Sequence, residues 1–442
     1  MAGSLLTDLY ELNMASSYLR RGMNGVATFS LYVRRLPPGR AFLVAAGIDK
    51  CLSWLEELRF DEEELEYLAA LGFDSTAIEA FRGLRFTGEV WAVPEGRIVF
   101  AEEPLAEVSA PIAEAQLAET FLLNQLTFQT AIASKAARCR LAGAGRVELV
   151  EFGFRRTQGI EAAMSVARIT GLVGFAATSN VEAARRYGLA PAGTMAHSYI
   201  EAFPTEREAF RAFASDLPAA TTFLVDTYDT LGGVAHAIEV TKELGIASRA
   251  AVRLDSGDLV ALAYEARRML DEAGLEDVRI FVSGGLDERD IRRMLGAGAP
   301  IDAVGVGTRL GVSADAPYLD SAYKLVDYGG RPVMKLSVGK VTFPGAKQVF
   351  RAPGMRDLLG LRDEASPAGT ERLLEHVMSA GRRLGPAGSL ESSRRCFESD
   401  LSALPVSLRD LDAAAPAGPE VSSALRALVE EATATAVRAA GS

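Results

Sequence analysis

The feature that most constrains this chain is a rhythm between residues 146 and 308. Short apolar runs of strand length alternate there with helical patterns. RVELVEFGF (146–154) leads to EAAMSVARI (161–169), GLVGFAATS (171–179) to NVEAARRYG (180–188), and PAGTMAH (191–197) to EREAFRAFAS (206–215). TTFLVDT (221–227) then leads to LGGVAHAIEVTKELG (231–245), RAAVRLDS (249–256) to GDLVALAYEARRMLDEAG (257–274), and VRIFVSGG (278–285) to DERDIRRMLGAG (287–298). AVGVGT (303–308) closes the series. Runs apolar on both faces, separated by helices, point to parallel strands wrapped by helices. So many consecutive units favour a closed βα barrel over an open doubly wound sheet, although closure itself is not written in a sequence.

The flanks differ. Residues 25–35 and 87–110 alternate as half-buried strands with turns at VPEG and EEPL, and residues 42–86 read as helices. EAQLAETFLLNQLTFQTAIASKAAR (114–138) reads as one long linking helix. After about residue 335 the rhythm stops, and the tail from 352 reads as short helices and loops. The expected class is therefore α/β: a parallel βα barrel over 114–340, an α+β domain over 1–113, and a helical and loop region over 341–442.

Composition narrows the function. With 49% hydrophobic and 24% charged residues the chain can bury a sizeable core. A net charge of −11 with no basic run argues against nucleic acid or an anionic membrane as partner. Cys51, Cys139 and Cys396 lie far apart and form no CxxC pair, so neither a zinc knuckle nor a disulfide framework is expected. The start, MAGSLLTDLYELNM, carries acids where a signal peptide needs an apolar run, and no stretch reaches membrane-spanning length. A cytoplasmic protein is expected.

In a βα barrel the chemistry lies at the carboxyl ends of the strands. There this sequence places EFGFRR (151–156), TSN (178–180), GTMAH (193–197), DTYDT (226–230), RLDSGD (253–258), SGG (283–285) and GVGT (305–308). The glycine loops around Ser283, Gly284, Gly285, Gly305, Gly307 and Thr308 free backbone N–H groups on late strands, where a phosphate commonly sits. Arg155 and Arg253 can grip a carboxylate or phosphate in a bidentate fork, or pair with acids of the rim. Asp255 and Asp258 can hold ribose hydroxyls or Mg²⁺, and for Asp258 an N-cap is the better assignment. Of the three histidines, His236 lies mid-helix and His376 in the tail. His197 stands among small residues on the rim with no Cys or second His beside it, which leaves nucleophile, general acid or base, or a satisfied structural residue.

These stretches, with LLTDLYELNM (5–14), SGGLDE, GVGTRLGVSADAPYLDSAYKLV and KVTFPGAKQVFR (340–351), resemble the nicotinate phosphoribosyltransferases over most of the chain. The resemblance implies an irregular parallel βα barrel with an α+β domain formed from the N-terminal region and part of the C-terminal region, which packs back on it. It also implies transfer of a phosphoribosyl group from phosphoribosyl pyrophosphate to nicotinate, with Mg²⁺ on the pyrophosphate near Asp255 and ATP as co-substrate. It implies that His197 is phosphorylated by ATP. It places Tyr10 over the nicotinate ring from a neighbouring subunit of a homodimer, Phe152 on the other face, and Arg155 and Thr194 beside the carboxylate. Arg253 and Asp255 meet nicotinate or the ribose, and Gly284, Gly285, Gly307 and Thr308 hold the 5′-phosphate. Ser179 stands where nicotinamide-using relatives carry an Asp, which favours the acid as substrate. The alternatives are nicotinamide or quinolinate as substrate, or a silent barrel that binds phosphosugars.

Overall fold

The computed structural model describes residues 3–217, 221–336 and 342–440. Lys340 and Val341, with the boundary expected between them, lie outside the described residues. The chain forms two compact units, Lys135–Pro317, and Met1–Ser134 together with Tyr318–Ser442. The sequence expectation had set the boundaries at 113/114 and 340/341.

The unit Lys135–Pro317 holds seven strands: β1 (Glu148–Glu151), β2 (Ala177–Thr178), β3 (Ala190–Pro191), β4 (Thr221–Leu224), β5 (Ala250–Leu254), β6 (Arg279–Val282) and β7 (Ala303–Val306). They pair in the order β3-β2-β1-β7-β6-β5-β4, all parallel. The first strand thus pairs with the last, Leu149 opposite Val304 and Glu151 opposite Val306, as a barrel requires. Among the described residues no ladder joins β3 to β4, so the barrel is irregular, with one open seam.

Two expected strands are shorter than the sequence suggests. GLVG (171–174) belongs to the end of helix Ile160–Leu172 and its turn, where Leu172 and Val173 are buried as helical residues. A short apolar run cannot be told from a buried helix end by periodicity. In PAGTMAH the strand ends at Pro191, with the Ala192 N–H still donating to the Thr178 carbonyl at 2.8 Å; the chain leaves the sheet at Gly193, and His197 opens a short helix instead. Five of the described helices between the strands start on side-chain caps. Asn180, Thr205, Asp229, Asp258 and Asp287 each accept a backbone N–H in the first turn, which satisfies donors the helix cannot. Capping thus takes up much of the rim's polarity, Asp258 included.

In the other unit a seven-stranded antiparallel sheet runs in the order Arg331–Pro332, Ser321–Tyr328, Val26–Val33, Pro104–Pro111, Glu89–Ala92, Glu375–Ser379, Arg382–Arg383. Val26–Val33, expected to be half-buried, is buried on seven of its eight residues, as a central strand covered on both faces must be. The linking helix is two helices, Ile112–Leu117 and Glu119–Gly143; the second carries the chain across the boundary between the units. The tail corrects the expectation most. Beyond Lys347 it makes strands Lys347–Ala352, Arg356–Leu361, Glu371–Arg372 and Glu420–Val421 in a four-stranded sheet, besides the two strands given above. Its charges hid the alternation. Arg351 and Asp357 are buried against each other at 2.6 Å, and Lys347 lies 3.1 Å from buried Glu107. No helix among the described residues is long and apolar enough to cross a membrane.

Candidate active site

At the carboxyl ends of the strands lies a cavity of about 290 Å³ lined by Phe152, Arg155, Ser179, Thr194, His197, Arg253 and Asp255. A smaller cavity of about 130 Å³ is lined by Ser283, Gly284, Gly285, Gly305, Gly307 and Thr308. Phe152, Arg155, Arg253 and Asp255 line both, so the two are ends of one cleft. Within the unit Lys135–Pro317 the structure brings together every residue singled out for the site except Asp258, which caps helix Leu259–Glu272 instead. Tyr10 lies on helix Leu9–Arg20 of the other unit and is 45% exposed.

Arg253 organises the cleft. Its Nε donates to Ser283 Oγ, Nη1 to Thr194 Oγ1 and Nη2 to Asp255 Oδ1, each at 2.8 Å, and Ser283 Oγ donates to the same Asp255 oxygen. Three strand ends, those of β3, β5 and β6, are thereby held by one guanidinium whose N–H groups are largely spent inside the protein. The cations left for a ligand are Arg155 and Arg156, on the turn Phe154–Arg156. Both are exposed, and neither has an ion-pair partner among the described residues. Arg156 lines only the glycine-rich end. The arginine doublet after FGF was the only sequence signal for it, and it had not been singled out.

The glycines separate by purpose. Gly284 has φ +106°, and a Cβ there would overlap the carbonyl oxygen of Asp255. Gly285 has φ +72° with open space where a Cβ would be, so its backbone faces the cavity unobstructed.

His197 Nδ1 lies 3.1 Å from Thr227 Oγ1. This contact orients the ring and leaves Nε2 as the nitrogen for chemistry. The other histidines have structural partners: His236 meets Glu206 at 2.9 Å, and His376 meets Glu89 at 2.7 Å while stacking on Trp91. Asp226 supports the rim from β4. Its Oδ2 accepts the Asp255 N–H at 3.3 Å and the Ser256 hydroxyl, while its Oδ1 is buried without a hydrogen-bond partner. Asp226 and Thr227 were visible in DTYDT, but nothing in that string said which of its polar residues turn toward the histidine and which cap the next helix.

A cleft with free arginines, a glycine-lined anion pocket and an oriented histidine, at the carboxyl ends of a parallel βα barrel, defines an enzyme acting on phosphorylated small molecules. Residues 5–127 match the nicotinate phosphoribosyltransferase (NAPRTase) N-terminal domain, and residues 147–338 match the nicotinate phosphoribosyltransferase (NAPRTase) family. The chain is 50% identical over 417 residues to a nicotinate phosphoribosyltransferase of Mycobacterium tuberculosis, covering 93% of this chain and 89% of that one. It is 32% identical over 517 residues to the Homo sapiens nicotinate phosphoribosyltransferase, covering 97% and 96%. The crystal structure of human nicotinic acid phosphoribosyltransferase matches with a TM-score of 0.85 at 32% identity, over 96% of this chain and 99% of that one. Nicotinate-nucleotide pyrophosphorylase from Pyrococcus furiosus shares the fold, with a TM-score of 0.76 at 24% identity over 90% of this chain and 95% of that one. The chain belongs to the nicotinate phosphoribosyltransferase family.

Proposed function

We propose that this enzyme joins nicotinate to the ribosyl group of phosphoribosyl pyrophosphate, giving nicotinate mononucleotide and pyrophosphate for NAD biosynthesis, with ATP consumed through phosphorylated His197. The observation that carries the assignment is that Arg155 and Phe152 line both ends of one cleft, the end with Ser179, Thr194 and His197 and the end lined by Gly284, Gly285, Gly305 and Gly307. The ring nitrogen donates its lone pair to C1 of the ribose while the C1–O bond breaks, and that electron pair leaves with pyrophosphate. The carbon is oxocarbenium-like midway, so the work of the protein is to position both partners and stabilise departing charge. Phe152 packs on the pyridine, Arg155 faces its carboxylate, and Ser179 places no negative charge against that carboxylate. Arg156 and the N–H groups of Gly284, Gly285, Gly307 and Thr308 take the 5′-phosphate, while Asp255, fixed by Arg253, receives ribose hydroxyls.

Asp226, whose Oδ1 is buried without a hydrogen-bond partner, and Asp255 suit a Mg²⁺ carried mainly by substrate phosphates, since no group of three or more candidate ligands exists among the described residues. Such an ion neutralises charge on the leaving pyrophosphate when bound. Nε2 of His197, with Nδ1 held by Thr227, is the nucleophile toward the γ-phosphoryl group of ATP: the Nε2–P bond forms as the P–O bond to ADP breaks and ADP leaves with the oxygen. Water later attacks the phosphorus, so that the Nε2–P bond breaks and inorganic phosphate leaves. Tyr10 serves the cleft of a neighbouring subunit in a homodimer, and the enzyme works in the cytoplasm.

The test compares nicotinate mononucleotide formation with and without ATP for wild type and His197→Ala. ATP stimulates the wild type, and the variant keeps an ATP-independent rate that ATP no longer raises. Equal stimulation of both would remove His197 from the energy coupling.

A further inference from the structure

One buried carboxylate in the barrel is not used by the chemistry above. Glu151 ends β1 and is 1% exposed. No cation pairs with it among the described residues, and burial pushes its carboxyl above the usual range. A charge without a counter-charge in a barrel wall is costly, and such positions are normally filled by branched apolar side chains. Its partners are all donors from two loops of the cleft. Oε1 accepts the N–H of Gly153, between Phe152 and Arg155. Oε2 accepts the hydroxyl of Thr178 at 2.6 Å. The Thr178 oxygen in turn accepts the N–H of Asn180 at 3.1 Å, and the Glu151 carbonyl accepts the N–H of Ser179 at 2.8 Å. The bonds fan out from one residue to both sides of the pyridine pocket. No side-chain bond of Glu151 reaches the loops of Ser283–Gly285 or Gly305–Thr308; toward β7 only the backbone ladder continues, with the Phe152 N–H on the Val306 carbonyl at 2.8 Å.

We infer that Glu151 is a positioning residue: by bridging Gly153 and Thr178 it fixes the spacing between the loop of Phe152 and Arg155 and the loop of Ser179, and so sets recognition of the pyridine acid. The inference rests on the proposed transferase for the identity of the ligand, but not for the bridge. Thr178 is the other half of the device. Without its hydroxyl, Glu151 holds only its own loop, and Ser179 is tied by a single backbone bond.

The test uses the full-length enzyme with Glu151→Gln, Thr178→Val, Thr178→Ser and the double variant Glu151→Gln/Thr178→Val. A glutamine keeps its oxygen on Gly153 but meets Thr178 Oγ1 with an NH2, so the bond to a carboxylate oxygen gives way to a weaker neutral one with the hydroxyl turned elsewhere. Loss of one such bond is expected to raise KM for nicotinate about tenfold in Glu151→Gln and Thr178→Val, with KM for phosphoribosyl pyrophosphate changed by less than about twofold. Thr178→Ser keeps the hydroxyl and stays near wild type. The double variant is no worse than the worse single one, because both changes cut the same bridge. Amide hydrogen exchange, read without substrate, quickens together in peptides covering 152–157 and 178–181 and is unchanged in 283–285. Equal changes in both KM values, a loss that tracks the melting temperature alone, or unaltered exchange in either loop would overturn the inference. A wild type that transfers nothing to nicotinate would overturn the proposed function, and the exchange measurement would still decide the bridge.

Discussion

Replacing Arg253 with Ala is expected to lower kcat/KM for nicotinate mononucleotide formation by about a thousandfold, or ~4 kcal/mol, the scale of breaking a buried charge pair. The reason lies in what is left behind. Arg253 holds Ser283, Thr194 and Asp255, each at 2.8 Å, and it stacks 5.5 Å from the Phe152 ring centroid. Without it, Asp255 loses its counter-charge and three strand ends lose their common tie. Arg253→Lys keeps the charge but not the fork, so it can reach only one of the three acceptors well and should recover little of the activity. Steady-state kinetics beside thermal melts check this. A loss below tenfold in Arg253→Ala would show that the network is not what organises the cleft.

The second large effect is expected at Gly284. A methyl group there would overlap the Asp255 carbonyl oxygen, at a φ of +106° that L-residues rarely adopt. The SGG loop must then move away from β5, and the phosphate end of the cleft moves with it. Gly284→Ala should lower kcat/KM for phosphoribosyl pyrophosphate by about a hundredfold or more, in keeping with ~3 kcal/mol of lost positioning. Gly285→Ala is the control: its φ is +72° but its Cβ would meet open space, so only the backbone strain of about 1 kcal/mol remains. Titration of both variants with ribose 5-phosphate by calorimetry separates the two. If Gly284→Ala binds as tightly as wild type, the close approach to Asp255 is not what shapes the phosphate end.

Much of this was legible in the sequence, for reasons that differ by region. The barrel showed because its strands are apolar runs between amphipathic helices, and its rim showed because glycines, arginines and aspartates recur at the strand ends. RLDSGD even separated by role, Asp255 into the cleft and Asp258 onto the helix cap, because SGD before a helix is a capping pattern. β2 and β3 were overdrawn, since the apolar end of helix Ile160–Leu172 imitates a strand. The strands of the tail were missed because Lys347, Arg351 and Asp357 carry buried charges, and partners as distant as Glu107 cannot be inferred from local alternation. The division of labour among arginines was likewise hidden. Arg253 stands committed within the protein while Arg155 and Arg156 stand free, and only geometry shows that. Glu151 stood at the head of EFGFRR without a role of its own, and only its two oxygens, one on Gly153 and one on Thr178, give it one.

The central claim is that this cleft takes nicotinate as acceptor for a phosphoribosyl group. Its most direct test is to supply the purified enzyme with phosphoribosyl pyrophosphate, Mg²⁺ and ATP, and to measure mononucleotide and pyrophosphate formed from nicotinate, nicotinamide and quinolinate in parallel. Stoichiometric nicotinate mononucleotide and pyrophosphate from nicotinate, with little or no product from the other two, is the expected result. Preferred turnover of nicotinamide or quinolinate, or binding of nicotinate without release of pyrophosphate, would contradict it.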